Sequence, residues 1–237
     1  GYENEADGAV MEKQIDCAVS YGVNVFIYDW YWYDNRPFLE NCLNDGFLKA
    51  KNSDKMKFCL MWANHDATHL WDKRNSDKDL STVIWSGVVT PKIFSEICDR
   101  TIEKYFKKDN YYCIDGCPVY MIFDIDNFIR SFGTSDECKK AIEKFRQKTI
   151  DAGFKGLHLQ FVHWRDRIFN WLKDEDSQKG VLSAQMYEHL GASSVTNYSW
   201  GGITDFDGDF NDVAEGYVTE YNKIAPTLSI PYYPNLS

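Results

Sequence analysis

The sequence predicts an α/β protein whose parallel sheet is wound as a β/α barrel rather than as an open doubly wound sheet. Three observations carry that expectation. Helical and strand-like periodicities alternate about six times along the chain without a hairpin signal. Strand after strand ends in a functional side chain, namely Asp29, Asn64 with His65, Asp124, His163 and Tyr198; a barrel collects such residues at the carboxyl ends of its strands. No G-x-G-x-x-G or Walker sequence occurs, the turn that a doubly wound sheet presents to phosphate at its switch point.

Taken in order, Asp7 is placed to cap a helix over Gly8–Tyr21, with Met11, Ile15, Ala18 and Val19 on one face and Gly22 closing it. The apolar run Val23–Tyr28 follows as a buried parallel strand. It leads into Asp29 and four consecutive rings, Trp30, Tyr31, Trp32 and Tyr33. The spacing predicts a helix over Phe38–Lys49, weakened at Gly46, then a strand over Lys57–Trp62. The polar segment from Asp66 to Gly87 reads as a long loop, a length usually tied to function or motion.

Thr90-Pro91 opens a helix to Phe106, with apolar Phe94, Ile97, Cys98, Ile102 and Tyr105 at helical spacing. Pro118–Phe123 is the next strand and runs into Asp124-Ile-Asp126. Ser135 is placed to cap a helix that ends at Gly153, with Asp136 and Glu137 in its first turn. A strand over Leu157–Val162 ends in His163-Trp164. A shorter helix around Ser183–Leu190 precedes a weaker strand over Ser194–Tyr198, then a helix over Asp209–Lys223 and a last strand opening at Thr227–Ile230. With no repeat and no low-complexity linker, residues 1–237 read as one domain.

Composition narrows the partner. Aromatic residues make up 16% of the chain, with eight Trp, which favours a surface for ligands with flat apolar faces. The formal charge of −10 argues against nucleic acid, because phosphate binding needs a basic face. No apolar run approaches the roughly 20 residues of a membrane-spanning helix. The seven cysteines form an odd, scattered set, read as free and mostly buried thiols suited to a reducing or anaerobic environment. The compartment itself is not specified.

Metal and cofactor signals are weak. His65-Asp66-x-x-His69 lacks the helix that would align two imidazoles, and Cys113-x-x-x-Cys117 lacks a second pair. Asp124-x-Asp126 has the spacing of a metal–nucleotide element but reads better as a strand-end acid and a helix cap. Asp205-x-Asp207-x-Asp209-x-Asn211 begins like a calcium loop, yet Phe210 stands where the turn glycine belongs. The expectation is therefore no metal and no cofactor. What remains is a cleft of carboxylates, imidazoles, an amide and rings, a set that suits carbohydrate.

The segments G-Y-E-N-E-A-D-G-A-V-M-E-K-Q-I-D, G-V-N-V-F-I-Y-D-W-Y-W-Y-D, M-W-A-N-H-D, K-Y-F-K-K-D-N-Y-Y-C-I-D-G-C-P-V-Y and P-Y-Y-P-N-L-S resemble, in order, the glycoside hydrolase family 99-like proteins, also called the WbsX group. The resemblance implies a (β/α)8 barrel acting on α-mannosides or a related polysaccharide, with retention through an anhydro-sugar intermediate. It makes Trp30 and Trp32 the stacking candidates and Tyr198 a sugar contact. It sets Asn64 and His65 at a polar contact and gives Asp124 a part in shaping the cleft. From the strand-end pattern, Asp29, Trp62, Asp126, His163 and Trp164 join the candidate substrate-binding set. The family's N-E-W-x-E-G-like catalytic segment has no counterpart here, and its first barrel strand would precede Gly1. The resemblance thus implies an internal fragment with about six of eight strands, inactive alone, its catalytic residues expected beyond Ser237. A glycosyltransferase or polysaccharide-biosynthesis role and a non-catalytic carbohydrate-binding domain are the alternatives.

Overall fold

The computed structural model describes residues 3–72, 74, 79–163, 168–169, 181–199 and 207–235. After helix α1 (Gly8–Ser20), capped by the Asp7 carboxylate on the Ala9 amide, comes strand β1 (Val25–Tyr33). A short β2 (Arg36–Phe38) folds back antiparallel on the end of β1, and β3 (Lys57–Trp62) runs parallel beside it. A two-stranded flap, β4 (Ala67–Thr68) and β5 (Val83–Trp85), leads to α2 (Pro91–Thr101). A hairpin of β6 (Cys113–Ile114) and β7 (Cys117–Ile122) is followed by α3 (Ile125–Phe132) and α4 (Ser135–Asp151). Then come β8 (His158–Val162), the antiparallel pair β9 (Ile168–Phe169) and β10 (Val181–Leu182), and α5 (Ser183–His189). The described chain ends with β11 (Ser194–Thr196), α6 (Phe210–Ile224) and β12 (Tyr232–Tyr233).

Six strands form a parallel sheet in the order β1, β3, β7, β8, β11, β12, each beside the next in sequence. That single direction of winding is what βαβ crossovers produce when every helix lies on one face. The outward row Trp30, Trp62, Ile122, Phe161, Val195 and Tyr232 is in register across the sheet. Its rings pack on the helices: Trp62 stacks on Phe94 of α2 and meets Phe128 of α3 edge-on, and Phe161 stacks on Tyr187 of α5. One residue along, Asp29, Met61, Met121, Gln160 and Ser194 form the neighbouring row on the other face. Because strand side chains alternate, this parity decides what each residue touches.

Several expectations are corrected. β1 continues through the aromatic run to Tyr33, so the four rings alternate faces instead of banking together past the strand. The helix expected over Phe38–Lys49 is a π turn (Cys42–Gly46) followed by a 3₁₀ turn (Phe47–Lys49). Gly46 is the cause: a Cβ there would lie 1.9 Å from the Glu5 carbonyl oxygen, so this segment is pressed onto the chain before α1. Hairpins, not expected from the sequence, occur at β1–β2, within the 66–87 segment and at Cys113–Ile122, where Asp115-Gly116 is an Asp-Gly turn signal that sequence reasoning passed over. The last turns through Asp115 and Gly116, both at positive φ. The expected strand at Thr227–Ile230 opens instead as a 3₁₀ turn over Ala225–Thr227, with pairing at Tyr232–Tyr233. The helix cap expected at Ser135 is Thr134, whose Oγ1 accepts from the Glu137 amide. All seven thiols are free, but only Cys59, Cys98 and Cys138 are buried.

Candidate functional site

The inward row opens onto a cavity of about 550 Å³ lined by Ile27 and Asp29 of β1, Met61, Met121, Gln160 and Val162, and by Thr196, Asn197, Tyr198 and Tyr233–Asn235. Tyr198, just beyond β11, donates its hydroxyl to Asp29 Oδ2 at 3.2 Å. A bond between the ends of the first and fifth parallel strands requires the sheet to curve around this space. Burial pushes the Asp29 carboxyl up from its usual range, against the Tyr198 hydrogen bond and the nearby His65. Asp29 is thus a partly desolvated acceptor facing a cavity, with lone pairs left for a ligand's hydroxyls.

Around the mouth, Tyr31 of β1 lies against His65, and His65 against Phe123, whose ring meets Tyr198 edge-on at 5.0 Å. Burial and the charge of Asp29 push the Tyr31 phenol up to about 12, so it stays a neutral hydrogen-bonding group. Tyr31, His65 and Phe123 thus form a row of rings that ends at Tyr198, the member of the row that lines the cavity.

Trp30, Trp32 and Trp62, expected as ligand contacts, are instead core: 2%, 7% and 0% exposed. They point outward because of strand alternation, and Trp30 donates its indole N–H to Glu40 at 2.8 Å. Asn64 is also corrected. Its amide is bound to the Asp124 backbone in both directions, donating to the carbonyl and accepting from the N–H, each at 2.7 Å, and the residue is only 1% exposed. It splices the ends of β3 and β7 together, and its burial keeps the amide away from the cavity. Asp124 caps α3 through the Asn127 amide at 3.0 Å, with Asp126 in the first turn of that helix. His163 is buried with Nδ1 3.1 Å from the Tyr187 hydroxyl. Trp164 lies outside the described residues.

The residues missed by sequence reasoning are Tyr31, Gln160 and Asn197. A strict period-two count from Asp29 reaches Tyr31 rather than Trp30, and that signal was available. Asn197 carried none: it is 4% exposed, donates to the Tyr217 hydroxyl, and accepts from the Tyr232 hydroxyl at 3.0 Å and the Asn235 amide at 2.8 Å, fixing the far wall. Among the described residues no group of three or more His, Cys, Asp or Glu converges as metal ligands would. Asp209, from the calcium-like run, caps α6 on the Asn211 amide.

Known proteins share this fold. The endo-alpha-mannosidase of glycoside hydrolase family 99 from Bacteroides thetaiotaomicron superposes over 99% of this chain and 55% of its own, with a TM-score of 0.56 and 13% identity. A glycoside hydrolase-like protein matches over 100% of this chain and 65% of its own, with a TM-score of 0.56 and 15% identity. At such identities the likeness is one of fold: α/β, with a mostly parallel sheet. In sequence, the uncharacterized protein WxcX of Xanthomonas campestris pv. campestris, in two strains, is 34% identical over 162 residues, 67% of this chain. The chain spans 21% of the length of these curated relatives. A family model described as glycosyltransferase WbsX matches residues 1–228; with nearly every described strand and helix inside that match, the chain belongs to the WbsX family.

Proposed function

We propose that this chain is the sugar-holding part of a glycoside hydrolase-like, glycan-processing protein whose substrate is an α-mannoside or related polysaccharide. In this reading residues 1–237 are one domain, and the six parallel strands are six of the eight of a (β/α)8 barrel. The observation that carries it is the Asp29–Tyr198 pair at the mouth of the 550 Å³ cavity, with Tyr31 and His65 beside it. Asp29 accepts from sugar hydroxyls while Tyr198 both orients the carboxylate and offers its own oxygen. Tyr31 supplies a ring for the C–H face of a pyranose.

Cleavage of a glycosidic bond uses two carboxylates, roughly 5–9 Å apart. Among the described residues lining the cavity Asp29 is the one carboxylate, so this chain's task is to bind and orient rather than to supply both proton-transfer groups. Sugar transfer is the second reading, favoured by the description of the family.

The test is calorimetric titration of the full-length protein with α-mannan oligosaccharides, alongside a hydrolysis screen. Asp29→Asn and Tyr198→Phe are each expected to weaken binding by about tenfold, the value of one hydrogen bond to a charged group. Unchanged affinity in both variants refutes the assignment. Binding that needs a nucleotide sugar favours transfer.

A further inference from the structure

The 66–87 segment does more than connect β3 to α2. Its described parts form the β4–β5 flap, which carries two tryptophans that are unusually open: Trp71 is 43% exposed and Trp85 is 37% exposed. Both are held against rings of β1. Trp71 stands edge-on to Tyr31 at 5.7 Å, to Tyr33 at 6.0 Å and to His65 at 5.4 Å. Trp85 stacks on Tyr33 at 5.9 Å, with Phe38 of β2 at 5.4 Å behind it.

The flap is rooted firmly. The Asp66 carboxylate accepts from the Gly87 amide at 2.7 Å, Ser86 Oγ at 3.2 Å and Asn127 Nδ2 at 3.3 Å, so both ends of the segment are tied to one side chain. Gly87 passes so close that a Cβ would sit 2.1 Å from the Asn64 carbonyl oxygen. Arg130 Nη1 lies 3.8 Å from Asp66 Oδ2 and bonds Asn127 Oδ1 at 2.8 Å, which places hydrogen-bonding groups near the same root. The Tyr33 hydroxyl donates to the His65 carbonyl at 2.9 Å and fixes the rings to that root.

We propose that Trp71, backed by Tyr31, Tyr33 and Trp85, forms an outer sugar subsite that receives the next units of a glycan whose inner unit lies on Asp29 and Tyr198. The inference rests on the carbohydrate reading of the cavity. Its own support is the continuity of the ring array: Tyr31 touches His65 and Trp71 together and lies two residues beyond Asp29 on the same face of β1. A glycan leaving the cavity past Tyr31 meets Trp71 next. Half-exposed rings held in place before binding lose little freedom on stacking, which is what a preorganised subsite requires.

The experiment measures affinity of the full-length protein for a disaccharide and a hexasaccharide cut from linear α-mannan. Wild-type protein is expected to bind the longer ligand about tenfold more tightly, as one aromatic anchor provides. Trp71→Ala is expected to collapse that ratio to within about twofold, and Trp71→Phe to restore most of it. A hexasaccharide bound no better than the disaccharide by wild type, or a ratio unchanged by Trp71→Ala, overturns the subsite and leaves the cavity reading standing. Failure of wild type to bind either sugar overturns both. A change of oligomeric state in Trp71→Ala on sedimentation, with the ratio intact, reassigns the exposed rings to a contact between copies and also overturns the proposal.

Discussion

Two carboxylates beside β1 show how differently one residue type is used on opposite faces of a strand. Glu40, on the helix side, accepts from Trp30, Asn44, Arg100, Lys104 and Tyr105. The Arg100, Trp30 and Tyr105 bonds outweigh burial and hold its carboxyl down to about 2. Asp29, on the cavity side, has the single described partner Tyr198 and burial pushes its carboxyl up. One carboxylate is saturated with donors and ties β1 to the Cys42–Gly46 turn and α2; the other keeps unfilled acceptor capacity at the cost of stability. Saturation marks a structural acid, and incomplete saturation in a cavity marks a candidate binding group.

The largest effect that would break this contrast comes from the structural side. Trp30→Ala removes a fully packed indole and one Glu40 donor, with an expected loss of about 4 kcal/mol in denaturant unfolding and no route to affinity except through unfolding. Next, Glu40→Gln keeps the shape but leaves Arg100 and Lys104 facing a neutral amide, at an expected cost of roughly 2–3 kcal/mol. Glu40 also sets a pH signature. Its folded value is below the free one, so its contribution is complete above the ordinary glutamate range near 4.5 and fades as pH falls toward about 2. Stability curves of wild type and Glu40→Gln should therefore converge across that window; parallel curves would mean the carboxylate is not held down.

Smaller effects sharpen the functional side. Tyr198→Phe is expected to change stability by less than about 0.5 kcal/mol, its hydroxyl lying at a half-open mouth, while lowering glycan affinity. Asp29→Asn has the opposite sign to Glu40. A carboxyl raised by burial stabilises the fold least once ionised, so stability declines as pH rises through the carboxylate range. The amide is expected to remove that decline and leave the protein equal or a few tenths of a kcal/mol more stable near neutrality. Destabilisation by Asp29→Asn comparable to Glu40→Gln would place Asp29 among the structural acids.

Much of the sheet was legible because parallel strands buried on both faces read as apolar runs: Lys57–Trp62 was placed to the residue, and His158–Val162 within one. The caps at Asp7, Thr90 and Asp209 carried local hydrogen-bond signals that the structure realises, whereas α3 is capped by the strand-end Asp124 and not by Asp126. Side-chain direction was harder. A run of four rings has no polar alternation to fix parity, so Trp30 and Trp32 could not be separated from Tyr31 by type alone. Asn64 was misassigned because a strand-end amide looks the same in sequence whether it faces ligand or backbone. Its partner lies 60 residues away, beyond any local pattern. The turn at Gly46 was likewise fixed by a distant carbonyl.

The rooting of the flap has a consequence for how the protein tolerates change. Since Asp66 gathers both ends of the 66–87 segment, a change of length within that segment leaves the junction itself in place. Each doubling of such a loop costs only about 0.6 kcal/mol. The flap with its exposed rings and the carboxylate at the cavity are thus held by separate anchors, Asp66 and β1, so the two can change independently.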